Sequence, residues 1–408
     1  MLTSYTFLFF LALLIISILL EPLSKKFHIP FSIILVIIGY TGSEIVVKFF
    51  GIDTGIRWDN FHDIIFFIIL PVLIFQAAIE INIKALKDNI IPIFVLALPL
   101  MVISAAVTAM AIYYGIAHPS GFPWIAALLT GALLSATDPA AVLSVLKASG
   151  ASHRLHMLLE GESLFNDATA IVLFSIFIAM ALSPTQSASW GFAVQQFLAI
   201  FTGGVAIGVI TGIAGHLIIR QVYKPEVYVL VTLVCAYSSY IVTEVVFHYS
   251  GVMAVLSAGL IIGALDKDTS GRDTNPFIKE FWGVISYLAE SLIFLLAGIT
   301  ITIYMFIDQW LAIIIGIAAV LIARVAVIFG FFPLVNLLPG VEPVSMKHQS
   351  VLVWGGVRGT VTLALALSLP LSLDYWYTIQ SVAYGVVLFT LFFQATTIRL
   401  FINKLNSV

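Results

Sequence analysis

The sequence is poor in charge. Of its 408 residues only 10% are Asp, Glu, Lys or Arg, while 61% are hydrophobic. A soluble domain is about 25% charged and about 45–50% apolar. No soluble fold could keep this much apolar surface from water, because surface-to-volume scaling leaves too much of it outside. The same balance excludes disorder. Cysteine is scarce as well. Cys235 is the single one, so an internal disulfide and a cysteine metal cluster are both excluded, and it reads as a small buried hydrophobe. A basic excess is missing: the formal net charge is −3, which offers nucleic acid nothing to hold. No GxxxxGK[ST] phosphate loop occurs, which argues against a nucleotide-driven pump. Residues 1–20 lack a basic leading region and a small-residue cleavage site, so they read as a retained first span rather than a signal peptide.

What is present is apolar length. A helix needs about 20 mostly apolar residues to cross the hydrocarbon. Such stretches recur near 3–21, 30–47, 61–81, 90–114, 122–146, 155–182, 190–218, 226–247, 251–265, 277–303, 310–333, 348–370 and 376–402. The expected fold class is an all-α polytopic membrane protein of thirteen transmembrane helices, with no soluble domain. Continuous runs of this length do not resemble the ten-residue alternation of a barrel. Basic residues collect in cytoplasmic loops, and that bias tests the count. Fourteen of the 18 lysines and arginines, from Lys25 and Lys26 to Arg399 and Lys404, fall at one set of ends; Lys48 and Arg57 fall at the other. The N-terminus is therefore expected outside and the C-terminus in the cytoplasm, in a plasma (prokaryotic inner) membrane.

Few charges lie well inside the spans: Asp138, Glu162, Asp167, Glu244, Glu290, Arg324 and Arg358, with Glu80 near a helix end. A mid-membrane charge costs about 2.5–3.5 kcal/mol on insertion scales, so each needs a pairing, a pathway or a relay. Asp138 stands in Thr137-Asp138-Pro139, in the middle of span five. Proline removes a donor and clashes with the preceding turn, and the residue before it avoids helical angles. The span is expected to break there, freeing carbonyls beside a carboxylate as a small dehydrated cation requires. The plainer alternative is a proline kink with an aspartate cap. In Gly161-Glu162-Ser163-Leu164-Phe165-Asn166-Asp167, Ser163 and Asp167 are four apart and share one helix face, and Glu162 and Asn166 share the neighbouring one. One face offers a hydroxyl and a carboxylate to a ligand; the other offers a carboxylate to an arginine. Arg324 and Arg358 stay protonated and each needs a carboxylate or carbonyls. Gly355, Gly356 and Gly359 around Arg358 point to a second broken or closely approached helix. Glu244 and Glu290 are weaker candidates that could simply hydrogen-bond across helices.

Transporter folds often hold inverted repeats with a broken helix in each half. Matching spans one to six with eight to thirteen pairs the two spans that carry breaking residues, five and twelve. The expected organisation is one transmembrane domain over 1–408, with repeat one about 1–182, a linker helix about 190–218 and repeat two about 226–402. Two carboxylates near a hydroxyl at a broken helix can bind a dehydrated monovalent cation or a proton, each excluding the other; that competition with alternating access produces exchange and needs no cofactor. An intramembrane aspartyl protease using Asp138 and Asp167 as a dyad usually resembles a GxGD pattern, whereas Asp167 follows Asn166. A channel would want a filter-like ring of carbonyls, and none is visible.

The pair TDPAAVLSVLK and GESLFNDATAIVLF resembles the NhaP-type sodium/proton antiporters of the monovalent cation/proton antiporter superfamily, with the animal sodium/proton exchangers as more distant relatives. LPVLIFQAAIEINIKALK, AESLIFLLAGI, ARVAVIF and GGVRGTVTLALALSLP add to it, so the resemblance spans essentially the whole chain in order. It implies a secondary active sodium(lithium)/proton antiporter of the elevator type, a homodimer in the bilayer, transporting Na⁺ (or Li⁺) and H⁺ and using no cofactor and no nucleic acid. It implies that Asp167 is the main ion- and proton-binding carboxylate. Asp138 and Ser163 would be side-chain ligands of the monovalent cation, and Thr137 a main-chain one. Glu162 would pair with Arg324 and help hold a ligating water, and Arg358 would steady the helix crossing. Asn166, where electrogenic relatives carry a second aspartate, implies electroneutral exchange of one cation for one proton. Potassium/proton exchange at the same site is the alternative. Since only Lys404 to Val408 follow the last stretch, the long cytoplasmic tail of animal exchangers is not expected.

Overall fold

The computed structural model describes residues 4–27, 30–50, 61–116, 121–148, 152–182, 190–221, 224–270, 276–339 and 341–406. Helices occupy every apolar stretch. They are α1 (Ser4–Phe27), α2 (Phe31–Phe50), α3 (Phe61–Glu80), α4 (Ile90–Gly115), α5 in two pieces, α5a (Trp124–Ser135) and α5b (Ala140–Ala148), and α6 (His153–Leu182). Then follow α7 (Trp190–Ile219), α8 (Pro225–Val246), α9 (Gly251–Ser270), α10 (Pro276–Thr300), α11 (Trp310–Val335), α12 in two pieces, α12a (Met346–Trp354) and α12b (Thr360–Leu367), and α13 (Trp376–Ile402). No strand occurs among the described residues. Of the basic residues used above to orient the chain, Arg57 and Arg272 lie outside the described residues; the side chains of Lys25, Lys48, Lys267 and Lys404 are likewise not described.

Among the described residues, four helices carry a π turn that apolar periodicity does not reveal: 65–69 in α3, 96–100 in α4, 242–246 in α8 and 390–395 in α13. Among the described residues, two short helices also fall between the long ones. Ile83–Asp88 starts at Asn82, whose side chain accepts the Ala85 N–H at 3.2 Å; Ile303–Asp308 follows the end of α10. The expected tenth span, 277–303, therefore stops three residues early, at Thr300. There Ile301 and Thr302 leave the helix, and Thr302 precedes the next one in extended backbone.

The helices sort into two bundles that interleave the halves of the chain. In the first, α2 packs on α1 and α10, α10 on α3, α3 on α9, and α9 on α7 and α8. In the second, α4 packs on α5a and α11, α5a on α6, α12b and α13, and α11 on α12a and α13. Contacts of α10 with α12b and of α6 with α3, α7 and α9 join the two. Apolar side chains such as Leu11, Ile18, Ile210 and Leu217 face outward, as a hydrocarbon solvent permits.

Lipid gives helices little hydrophobic reason to associate, so close backbone approach has to supply the packing. Helix α7 does this with Gly204, Gly208 and Gly212, one per turn. A Cβ on Gly208 would lie 2.2 Å from the Ala254 carbonyl oxygen of α9, and one on Gly204 would lie 2.5 Å from that of Ser250. Cys235 of α8 is buried in the same region and directs Sγ to the Thr211 carbonyl at 3.4 Å. Gly208→Val is expected to push α7 from α9 and to cost about 1–3 kcal/mol, as overpacking does. A lowered melting temperature of the purified protein in detergent checks this; an unchanged one would count against the packing.

Candidate functional site

Helix α5 stops at Ser135 and resumes at Ala140; α12 stops at Trp354 and resumes at Thr360. Each break leaves backbone groups without helical partners at a depth where water is scarce. The two breaks satisfy one another. The Asp138 N–H donates to the Val357 carbonyl at 2.8 Å. The Thr362 hydroxyl donates to the Leu133 carbonyl at 3.1 Å. Asp138 also caps α5b, with Oδ1 accepting from the Ala140 N–H at 3.0 Å, and Pro139 sits where a helix start tolerates a missing donor. Its Oδ2 takes the Thr360 N–H at 3.3 Å and the Thr360 hydroxyl at 3.2 Å. Gly359 makes the approach possible: a Cβ there would lie 2.2 Å from Asp138 Oδ2.

Helix α6 runs beside the crossing. The Ser163 hydroxyl donates to the Thr137 carbonyl, and Asn166 Nδ2 donates to the Thr137 hydroxyl at 3.3 Å. Thr137, Asp138, Ser163 and Asp167 line one cavity of about 310 Å³, which Gln76, Glu80 and Glu160 also line. Asp167 Oδ1 is buried and has no hydrogen-bond partner among the described residues.

The residues on the neighbouring face of α6 serve a different purpose. Glu162 is 1% exposed and forms a two-pronged ion pair with Arg324 of α11, in which Nη2 donates to Oε2 at 2.9 Å and Nη1 to Oε1. Arg324 also donates to the Leu352 carbonyl, from Nη2 at 3.0 Å and Nε at 3.2 Å. That carbonyl lies in the last turn of α12a, where the break removes its helical donor. So one arginine neutralises a buried carboxylate and closes a helix end. Arg358, 2% exposed, is tied through both backbone and side chain: its N–H donates to the Thr390 hydroxyl at 3.0 Å, and its Nη1 to the Gly356 carbonyl at 3.3 Å. Thr390 opens the π turn of α13.

The structure thus gathers Thr137, Asp138, Ser163 and Asp167 around one cavity and sets Glu162, Arg324 and Arg358 behind it. Asn166 is tied to the first group through the Thr137 hydroxyl. Sequence reasoning missed Thr360, Thr362 and Thr390, whose hydroxyls and amides hold the crossing. The hydroxyls after Gly359 were a readable signal, since a polar residue in each turn of an apolar span needs a partner. Glu290, expected to hydrogen-bond across helices, makes no hydrogen bond among the described residues and faces the cavity instead.

The family described as "Sodium/hydrogen exchanger, transmembrane" matches residues 10–404. The chain is 34% identical over 391 residues to the Na(+)/H(+) antiporter ApNhaP of Aphanothece halophytica, covering 95% of this chain and 72% of that protein. It is 32% identical over 413 residues to the low-affinity Na(+)/H(+) antiporter NhaS1 of Synechocystis sp., covering 99% and 76%. Its fold is that of the sodium proton antiporter MjNhaP1 from Methanocaldococcus jannaschii, with a TM-score of 0.77, 23% identity, and 96% of this chain and 98% of that chain covered.

Removing one partner of a buried ion pair strands the other charge and costs about 3–5 kcal/mol. Glu162→Gln is expected to lower thermal stability by that order, and an apolar pair replacing both Glu162 and Arg324 to lower it less. Melting curves of the three proteins in detergent check this; a parental melting temperature for E162Q would remove the pair's structural role.

Proposed function

The chain belongs to the sodium/hydrogen exchanger family as a multi-pass membrane antiporter, and we propose that it exchanges one Na⁺ (or Li⁺) for one H⁺ at a single shared carboxylate site. The observation that carries this reading is Asp167: a buried, unpartnered carboxylate oxygen in a cavity that Asp138, Ser163 and Thr137 also line. A carboxylate held away from water needs either a proton or a cation. The two occupants exclude each other, and that exclusion couples their fluxes. Ser163 donates its proton to the Thr137 carbonyl, so its oxygen lone pairs remain for a cation. The relatives named as Na(+)/H(+) antiporters support sodium over potassium.

Stoichiometry follows from Asn166. It stands beside Asp167 where a second carboxylate would add a second titrating charge, and as an amide it carries none. One carboxylate that carries either a sodium ion or a proton moves the same charge both ways, so exchange is electroneutral. The route is alternating access of the elevator type. The bundle of α4–α6 and α11–α13 carries the crossing past the scaffold of α1–α3 and α7–α10. The cavity reaches toward Glu80 and Glu160, at the lysine-rich helix ends, which we assign to the cytoplasm. The opposite side is held shut where the Thr300 hydroxyl of α10 meets the Tyr384 hydroxyl of α13 at 2.7 Å. In this reading the thirteen helices each span the plasma membrane, the N-terminus lies outside, the two halves are inverted repeats, and the protein works as a homodimer.

The test uses proteoliposomes with an acidic interior and a pH-sensitive dye. Outside Na⁺ or Li⁺ is expected to alkalinise the interior at a rate that a valinomycin–K⁺ voltage clamp leaves unchanged. Asp167→Asn is expected to abolish the response with parental thermal stability. Normal turnover by D167N would overturn the site, a clamp-dependent rate the stoichiometry, and a response to K⁺ alone the choice of ion.

A further inference from the structure

Two carboxylates at membrane depth lie outside the site described above: Glu244, whose Oε2 accepts the Gly251 N–H at 2.8 Å, and Glu290. Glu290 lies in α10, on the scaffold side of the bundle interface, and makes no hydrogen bond or ion pair among the described residues. A carboxylate in that position is expensive unless something answers its charge. What faces it is another carboxylate. Asp138, Ala140 and Glu290 are the residues that line both the 310 Å³ cavity and a second one of about 480 Å³. The two cavities therefore meet between Asp138 on one bundle and Glu290 on the other.

The second cavity has its own wall. Tyr287, Glu290, Ser291 and Phe294 fall three and four apart along α10, so they present one face of the helix to it. Ser24 of α1, Ser144 of α5b and Arg399 of α13 line it on the lysine-rich side. It is a hydroxyl-bearing passage with an acid at its inner end. Asp138 cannot be answered by Glu290 itself, because like charges facing across a gap repel. Both oxygens of Asp138 already accept hydrogen bonds, from Ala140 and Thr360, whereas those of Glu290 accept none. The charge can be answered by a proton or by a cation, and a cation at this position would be held by one acid from each bundle.

We propose that Glu290 is a cation-receiving residue on the scaffold wall, which takes the monovalent cation at the junction of the two cavities and passes it to Asp138 and Asp167. This rests on the exchange reading above. It adds a sidedness that reading lacks. Glu290 belongs to the scaffold and Asp138 to the other bundle, so the two face one junction only in the arrangement that opens toward the lysine-rich ends. Glu290 then sets the apparent cation affinity on that side alone.

The experiment compares the full-length protein in everted and right-side-out vesicles from cells lacking other sodium/proton exchange. Na⁺-dependent proton flux gives KM and the maximal rate on each side. In everted vesicles, where the lysine-rich ends face the medium, Glu290→Gln is expected to raise the KM for Na⁺ about tenfold with the maximal rate retained. One unit charge lost from a half-solvated site has about that effect. In right-side-out vesicles KM stays parental, and Glu290→Asp, which keeps the charge, restores most of the affinity. A parental KM for E290Q on both sides, or an equal rise on both, would overturn the proposal. Glu290→Ser carries the same expectation and the same refutation should E290Q fail to fold. Absence of Na⁺-driven flux in the parent protein would overturn the exchange reading instead.

Discussion

Two unwound peptides crossing at membrane depth must find hydrogen-bond partners outside their own helices, and at the centre they find each other. The bond from the Asp138 amide to the Val357 carbonyl is the point on which this molecule turns. An intact helix in either α5 or α12 would withdraw the group that the other needs. Thr360, Thr362 and Thr390 complete the accounting, each turning a hydroxyl toward backbone or carboxylate that a helix would otherwise have served. Part of the cost of breaking a span is thus met locally, by protein donors and acceptors. What remains is a rigid frame in which one carboxylate, Asp138, is held by a helix start on one side and a threonine on the other.

That frame divides the buried charges by duty. Glu162 and Arg324 answer each other and close the end of α12a, so they contribute structure and carry no free charge. Asp167, five residues further along α6 and therefore on another face, has no such partner. The difference is geometric: successive faces of α6 look toward α11 or toward the cavity. A transporter needs both kinds. A site whose every charge were paired would bind nothing, and one with none paired would not fold into lipid.

The bundle architecture gives this site two walls of different character. The crossing lies within the bundle of α4–α6 and α11–α13, while Gln76, Glu80 and Glu290 come from the other bundle. Glycine contacts such as those of α7 on α9 hold that bundle at backbone distance, where shape alone must supply the cohesion. A cation between the walls would feel acids from both. Relative movement of the bundles would change that environment without any local unfolding.

Much was legible in the residues themselves. Charge scarcity and the lengths of the apolar runs determined that the chain is a helical membrane protein. Proline after Asp138 and the glycines around Arg358 determined where two helices break, because those are properties of φ, of missing donors and of missing side chains. The four-residue spacing in α6 determined which polar groups share a face. The π turns and the short helices escaped, since in a helix that is apolar all round no periodic signal marks where an extra residue enters. The rest was decided by distance across helices. That Thr360 holds Asp138, that Arg324 reaches the Leu352 carbonyl, and that Glu290 faces Asp138 instead of a donor depend on residues 28 to 222 positions apart along the chain. Local rules govern a turn or two of backbone; which buried charge meets a partner and which is left waiting is settled only when the bundles close around them.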